Sequence, residues 1–530
     1  MNVTLLAINT KYVHSSLAVW AIASGVAAHA RQPHDVQVLE ATINQHCADI
    51  AQRVIAQAPD VLGISTYIWN AGMLPELLAV LRCHLPKLTV VLGGPEAACN
   101  AQHWLSHGAD HVICGAGEHS FAALLDNLSG DDSPAPSGSP PPVNPYSEAY
   151  FATLAGRIAY IETSRGCPFR CSYCLSGESS LEFVPLDLAK EQITQLARSG
   201  ARTIKFVDRT FNANAQRACD IWTHVMSLDS ACCFHFEVAA DLFDEQSLTL
   251  LQRAAPGRIQ LEIGLQSFHA PTLAAVQRKT NLVRAEENIR RLVAADNMHV
   301  HVDLIAGLPQ ETLATFELGF NRAYALGAHK LQLGFLKLLH GSKLRSQAQA
   351  LGLVHAAEPP YEILRSPWMS AEELAWLNTA ENALQHTYNQ GRFLRTLDYV
   401  LAATQLSPLR LFHSMGNAAP HHARALDDYA TQLHAHWRSL PGIDDETLRD
   451  HMLCDFLTMT RGQSMPPFLK CHDKRRKQVL QRANEMLNRS VRTHEVAVLH
   501  NGRGVFADSH RPCPVTKRYP LIVLDETPRR

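Results

Sequence analysis

Cys167, Cys171 and Cys174 crowd into one short run, Arg165-Gly-Cys-Pro-Phe-Arg-Cys-Ser-Tyr-Cys174. The spacing C-x3-C-x2-C packs three thiols into a single loop, directly after the apolar stretch Ile-Ala-Tyr-Ile-Glu-Thr at 158–163. Gly166 and Pro168 suit a chain that must turn tightly there. Iron–sulfur clusters are held by cysteine thiolates, usually four for a [4Fe–4S] cube, so three ligands leave one iron open. A structural zinc site instead calls for four protein ligands, commonly as two separated pairs. No second pair lies near.

With 530 residues the chain is too long for one ordinary core, and two or three domains are expected. A hydrophobic fraction of 46% supplies ample material for them. The net charge of −2 gives no global field for binding polyanions. The start, Met-Asn-Val-Thr-Leu-Leu-Ala-Ile, lacks a basic n-region and reads as a strand, not a signal peptide. No apolar run reaches the ~18 residues expected of a membrane span. Thirteen cysteines without an export signal point to a reducing cytoplasm. Outside the triplet, lone cysteines such as Cys114 and Cys232 read as core. Cys219 falls in a helical pattern and Cys232 and Cys233 begin a strand, which argues against a second cluster.

Residues 129–142, Ser-Gly-Asp-Asp-Ser-Pro-Ala-Pro-Ser-Gly-Ser-Pro-Pro-Pro, form the best candidate linker, with too little apolar surface to fold. Before it, strand-like runs at 3–8, 36–39, 61–65, 89–92 and 111–113 alternate with helical patterns. That alternation predicts a doubly wound, flavodoxin-like parallel sheet over 1–128, with ligands bound at the carboxyl ends of its strands. Small and polar residues gather at those ends, among them Ser65, Thr66, Gly93, Gly94 and Glu118. No G-x-G-x-x-G follows the first strand, which argues against a dinucleotide.

After a linker taken as 129–147, six strands are readable at 158–163, 203–208, 233–238, 259–264, 299–305 and 330–337. Helical patterns fill the gaps at 186–198, 243–254 and 282–295. Six βα units over 148–345 predict a partial (β/α)6 barrel with its chemistry at the carboxyl ends of the strands. From 346 to 530 the pattern turns mostly helical, at 371–388, 391–404, 423–439 and 445–460. Residues 361–364 and 389–393 could close over the barrel mouth but read better as pieces of packed helix, and Lys474-Arg-Arg-Lys477 reads as a solvated helix face. His421 and His422 show no metal-ligand spacing.

With an aromatic before its last cysteine, the triplet resembles the signature of the radical S-adenosylmethionine (SAM) enzymes. The resemblance implies a [4Fe–4S] cluster on Cys167, Cys171 and Cys174, whose open iron chelates SAM and whose electron cleaves it to methionine and a 5′-deoxyadenosyl radical. Tyr173 would lie against the cofactor. The ordered polar set that follows is similar to the SAM site of the oxygen-independent coproporphyrinogen dehydrogenase branch. Carried over, it puts Asp208 and Glu237 at strand ends facing SAM, Gln266 and Asp303 on the ribose hydroxyls, and Arg278 on the SAM carboxylate. Ile305, Gly307 and Pro309 would flank the adenine.

An α/β domain placed before such a core resembles the cobalamin-binding domain of cobalamin-dependent radical SAM enzymes. Ser65, Thr66, Gly93, Gly94 and Glu118 would then line the nucleotide-tail slot and the corrin rim. The D-x-H-x-x-G motif of other cobalamin proteins is missing, since Tyr12 stands two places before His14. Any cobalamin is therefore expected to lack a lower-face histidine. The last region resembles the helical C-terminal extension of one bacterial subgroup of these enzymes.

Together these features imply a cytoplasmic enzyme that uses SAM, a [4Fe–4S] cluster and cobalamin to modify an unactivated carbon, with methyl transfer the expected outcome. Its partners would be a small-molecule substrate and an electron donor such as flavodoxin or ferredoxin. An RNA-modifying enzyme of the methylthiotransferase kind is a second reading, opposed by the near-neutral charge and the lack of an RNA-binding appendage. A non-catalytic cobalamin- or redox-sensing protein is a third, opposed by the intact cysteines and SAM-like set.

Overall fold

The computed structural model describes residues 1–131, 143–178, 180–419, 425–459, 465–470 and 474–524. Most of the expected linker, His421 and His422 lie outside the described residues. The chain divides into two compact units. Met1–Leu251, Ala274–Lys279 and Phe335–Pro367 build the first; Gln252–Leu273, Thr280–Gly334 and Trp368–Arg530 build the second.

The first unit begins with strands β1 (Asn2–Asn9), β2 (Asp35–Thr42), β3 (Val61–Ser65), β4 (Thr89–Gly93) and β5 (His111–Val112). They pair in the parallel order β2-β1-β3-β4-β5. Every residue of β1 after Asn2 is buried, as a central strand covered on both faces requires. Helices Cys47–Gln57 and Leu74–His84 cover one face through Ile50, Val54, Leu74, Leu77 and Leu81. Truncating a core leucine such as Leu77 to alanine would cost about 2–5 kcal/mol. Helix Leu17–His29 packs against Gly117–Leu128 closely enough that a Cβ on Gly25 would sit 2.3 Å from the Glu118 carbonyl oxygen.

Further along the first unit come β6 (Ile158–Ile161), β7 (Ser164–Arg165), β8 (Glu182–Phe183), β9 (Thr203–Phe206) and β10 (Cys233–Val238). β9 lies between β6 and β10, parallel to both. Helices Leu186–Arg198 and Ala215–Ser227 return the chain between the strands, the second capped by Asn214 accepting from the Arg217 amide at 3.0 Å. The second unit carries β11 (Ile259–Gln266), β12 (His299–Ala306) and β13 (Lys330–Phe335), in the order β11-β12-β13. Along β11, Ile259, Leu261, Ile263 and Leu265 are buried, while Gln260, Glu262, Gly264 and Gln266 take the opposite, half-buried face. The six βα repeats expected of the partial barrel are present.

The C-terminal region is helical over Ala371–His386, Leu394–Thr404, Pro408–Ala418, Leu426–Trp437 and Asp445–Thr458. Ser370 and Glu373 close a capping box at its first helix. Asp455, fully buried, accepts from the Thr396 amide and hydroxyl at 3.0 and 2.8 Å and from Arg518 at 2.9 Å. Beyond it, helix Arg476–Leu487 covers an antiparallel sheet of Val496–Val498, Gly504–Ala507 and Leu521–Val523. The sequence reading missed this sheet and helix Pro408–Ala418. Lys474 and Arg475 precede helix Arg476–Leu487, which Arg476 and Lys477 open.

Three expectations are corrected. Residues 361–364 are not helical: Tyr361 is buried with φ +57° and leads into strand Ile363–Arg365. Residues 389–393 are not a packed helix: Asn389 and Gln390 end a 3-10 turn, Tyr388–Gln390, that Gly391 caps at φ +64°. Cys114 is exposed, because β5 ends before it, whereas Cys232 is buried as expected. No helix among the described residues is long and apolar enough to cross a membrane.

Candidate functional site

The cysteine loop of the first unit is held at its entrance, along its length and at its exit. Asp208, almost fully buried just beyond β9, accepts from the Thr163 amide at 3.0 Å, the Thr163 hydroxyl at 2.8 Å and the Ser164 hydroxyl at 2.5 Å. Burial raises its pKa, and these three donors work against that rise. The carboxylate expected to face SAM is thus spent on orienting the start of the loop. β7 and β8 then pair antiparallel, Ser164 with Phe183 and Arg165 with Glu182, so the loop leaves and re-enters one short ladder. Gly166, at φ +83°, makes the first bend.

Within the loop, the Cys174 amide donates to the Cys171 carbonyl at 3.0 Å. The Ser172 amide donates to Val276 at 2.9 Å, and its carbonyl accepts from Leu344 at 2.7 Å. Two distant segments therefore pin the middle cysteine turn. Arg278 follows Val276 and donates from Nη1 to Cys171 Sγ at 3.6 Å, with its guanidinium 5.9 Å from the Phe169 ring centroid. Burial opposes the Arg278 charge, but Tyr173 and Cys171 favour it, and its pKa is raised overall. Burial also raises the Tyr173 phenol. Cys167 Sγ lies 3.4 Å from the Thr210 hydroxyl, and none of the twelve described cysteines is in a disulfide. Three unbridged thiols with a fixed cation beside them match the donor set of an anionic iron–sulfur cluster.

The carboxyl ends of β1, β3 and β4 lie in the same unit. Thr66 is fully buried, its amide bonded to the Gly93 carbonyl at 2.7 Å, while its hydroxyl finds no hydrogen-bond partner. Gly94 has φ +94°, and a Cβ there would come within 2.7 Å of the Thr66 carbonyl oxygen. A Cβ on Gly93 would meet nothing within 4 Å. One glycine is thus required by the fold, whereas the other fronts open space. The Ser65 carbonyl accepts from Asn70 at 2.9 Å. An orphaned buried hydroxyl beside an open backbone fits a ligand approaching this edge, as a cobalamin tail would.

Glu118 is turned elsewhere. It pairs with Arg165, which also bonds Glu162 at 2.6 Å, so this expected rim residue grips the entrance of the cysteine loop. Burial raises the Glu162 carboxyl, while the Arg165 bonds bring Glu118 below its usual range despite burial. His14 is drawn away too: Nδ1 stands 2.6 Å from the Tyr160 hydroxyl, and its backbone bridges Ile158 at the start of β6. Burial lowers the His14 pKa, assisted by Lys11, Lys205 and Arg157.

In the second unit, Gln266 sits at φ +70° where the β11–β12 register shifts, and its buried Oε1 has no hydrogen-bond partner. Asp303 lies near the end of β12 with Oδ1 2.8 Å from His301 Nε2. Ile305 is half-buried, Gly307 has φ +85° and Pro309 is buried. Glu237, in the first unit, lies 3.6 Å from Lys205.

Comparisons with known proteins meet this geometry. The B12 binding domain family matches residues 3–125, and the Radical SAM superfamily matches 161–319. The chain joins a B12-binding domain to a radical SAM domain. A third family, described only as a protein of unknown function (DUF4080), matches 349–501. The cobalamin-dependent radical SAM methyltransferase TokK of Streptomyces tokunonensis is 22% identical over 321 residues, covering 51% of this chain and 46% of TokK. The hopanoid C-3 methylase of Methylococcus capsulatus is 29% identical over 170 residues, 27% of this chain and 33% of that protein. The chain thus spans less than half the length of these relatives. The radical SAM methyltransferase TsrM from Kitasatospora setae, solved with cobalamin and a [4Fe-4S] cluster, superposes with TM-score 0.56 at 17% identity, covering 68% of this chain and 82% of TsrM. The cobalamin-dependent SAM radical enzyme OxsB, solved with aqua-cobalamin, gives TM-score 0.59 at 12% identity over 85% of this chain and 78% of OxsB. These likenesses show the shared fold.

Several residues around the B12-binding domain escaped the sequence reading. Tyr67 and Trp69 stack with ring centroids 4.2 Å apart just beyond β3, and Trp69 donates to the Ile8 carbonyl at 3.0 Å. Both rings belong to the strand-end run 65–70, where only the small residues Ser65 and Thr66 suggest a ligand site from sequence. Glu96 is buried and accepts from the Tyr361 hydroxyl at 2.6 Å, and burial raises its pKa. No spacing rule links two residues so far apart in sequence.

Proposed function

We propose that the chain is a cobalamin-dependent radical SAM methyltransferase that acts on an unactivated carbon of a small molecule. The observation that carries the proposal is the Arg278 guanidinium set against Cys171 inside a loop of three free thiols. When bound, a [4Fe–4S] cluster on Cys167, Cys171 and Cys174 supplies the electron that cleaves SAM, and cobalamin relays the methyl group. The protein's share is placement. Arg278 is fixed to receive the SAM carboxylate in a charge-assisted contact, with Tyr173 beside it. Asp208 holds Thr163 and Ser164 and so aims the loop. Taken by itself, the second unit has an unpartnered Gln266 amide oxygen suited to a ribose hydroxyl, and Ile305, Gly307 and Pro309 suited to an adenine. Ser65, Thr66 and Gly93 receive the cobalamin tail. The electron comes from a small carrier such as flavodoxin or ferredoxin, in a reducing cytoplasm where cluster thiolates survive.

Anaerobic reconstitution with iron and sulfide tests this reading. About four irons should bind per chain. Added SAM should be cleaved under dithionite, and with hydroxocobalamin the methyl label of SAM should enter a metabolite extract from a deletion strain. Unchanged iron loading and SAM cleavage in a chain carrying Cys167→Ala, Cys171→Ala and Cys174→Ala would refute it.

A further inference from the structure

The basic run Lys474-Arg-Arg-Lys477 has no part in the proposed reaction, and the fold of the second unit brings further cations beside it. Helix Arg476–Leu487 seats Val479 and Ala483 against Val496, Val498 and Phe506 of the C-terminal sheet. Residues 474–524 hold eleven lysines and arginines against three acids, in a chain whose net charge is −2. Two of those acids, Glu495 and Asp508, are buried, and Arg489 takes both, at 3.5 and 3.0 Å. Glu485 is thus the one exposed acid among the described residues of this stretch, whereas eight of the eleven cations are exposed.

These cations converge. A Cβ on Gly502 would lie 2.5 Å from Arg475 Nη1, so Arg475 rests on the hairpin turn that carries Arg503. Lys474 and Lys477 flank it in sequence, and Arg482 follows two turns along the same side of the helix. A solvated helix face normally mixes both signs. Here the first turn holds no acid, and cations at that end oppose the helix dipole. Like charges gathered this way repel one another until an anion neutralises them.

We propose that residues 474–524 dock a nucleic acid through its phosphates. Five of the eight exposed cations are arginines, whose planar fork matches phosphate oxygens in pairs. No phenylalanine, tyrosine, tryptophan or leucine is exposed among the described residues of this stretch. Base stacking and insertion into a lipid surface both call for such side chains. Charge therefore sets the binding, with little regard for base sequence. The docked strand is distinct from the small molecule of the proposed reaction.

Fluorescence anisotropy of short labelled single strands, RNA and DNA of one sequence, tests this on the full chain. Both should bind in low salt, and affinity should fall roughly 50-fold between about 50 and about 200 mM salt if four phosphates are held. Lys474→Gln, Lys477→Gln and Arg503→Gln together should weaken binding at least tenfold and flatten the salt slope by about 2. Melting temperature and SAM cleavage should stay near those of the parent. A control carrying Lys87→Gln, Arg198→Gln and Arg253→Gln, three exposed cations elsewhere in the chain, should bind as the parent does. Tighter binding of RNA would add a 2′-hydroxyl contact to the assignment, and equal binding would support phosphate recognition alone. Failure to bind either strand, equal loss in both triple variants, or retention on phosphatidylglycerol vesicles in place of the strands would overturn it. None of these measurements needs the cluster or cobalamin, so their failure would leave the proposed methyl transfer standing.

Discussion

Arg278 donates to Cys171 Sγ at 3.6 Å across 107 residues of sequence, which sets a half-buried guanidinium directly on a triplet cysteine. Val276, two residues before it, takes the Ser172 amide, so cation and thiol are fixed to each other by backbone as well as side chain.

Arg278→Ala is therefore expected to weaken SAM binding roughly tenfold or more, the loss of a charged hydrogen bond being about 1.5–3 kcal/mol. Iron content should stay unchanged, because all three thiols remain. Equilibrium dialysis with SAM on matched, cluster-loaded samples measures this; equal affinities would remove Arg278 from the site.

The two glycines after β4 should separate folding from ligand binding. Gly94→Ala places a Cβ 2.7 Å from a carbonyl oxygen at φ +94°, and should lower the melting temperature by several degrees. Gly93→Ala should leave the melting temperature near that of the parent, since its Cβ meets nothing within 4 Å. Gly93→Leu should fold and yet lose the hydroxocobalamin absorbance. Normal cobalamin binding by Gly93→Leu would place the cofactor elsewhere.

His14 faces Tyr160 at 2.6 Å, so it is not poised to serve as an axial imidazole. Bound cobalamin should show a spectrum without histidine ligation, identical in His14→Ala. A histidine signature lost in that variant would contradict this geometry.

Glu311 supplies a pH-dependent stability term. It is 1% exposed, accepts from the Ser267 hydroxyl, and burial pushes its pKa from 4.5 to about 7. A carboxyl raised in the folded state stabilises fully below its unfolded pKa, and that contribution fades as pH rises from about 4.5 through about 7. A shift of this size corresponds to about 3 kcal/mol. Denaturant titrations should show the wild type losing stability over this interval relative to Glu311→Gln. Parallel curves would mean that Glu311 is charged in the folded protein without penalty.

Local pattern carried much of the architecture. β3 and helix Leu186–Arg198 begin and end where their apolar runs do, because burial on a regular face leaves a periodic trace. The triplet was readable because its ligands are neighbours in sequence. What escaped was assembled from afar. Glu118 was expected beside a corrin because it follows a strand, but Arg165 claims it, and pairing across 47 residues leaves no periodic mark. The strands Val496–Val498 and Leu521–Val523 are three residues each, too short for alternation to register. Cys114 looked like core from its apolar neighbours, but β5 stops at Val112 and the cysteine emerges at the surface.

The β7–β8 ladder has a consequence for the loop. Because Ser164 and Arg165 pair with Phe183 and Glu182, and Asp208 grips the entry, polypeptide contacts bring the ends of the cysteine loop together. Backbone pairing meets part of the entropy of closing that loop. None of these contacts uses a triplet thiol, so a chain with alanine at all three cysteines keeps every group that the ladder needs.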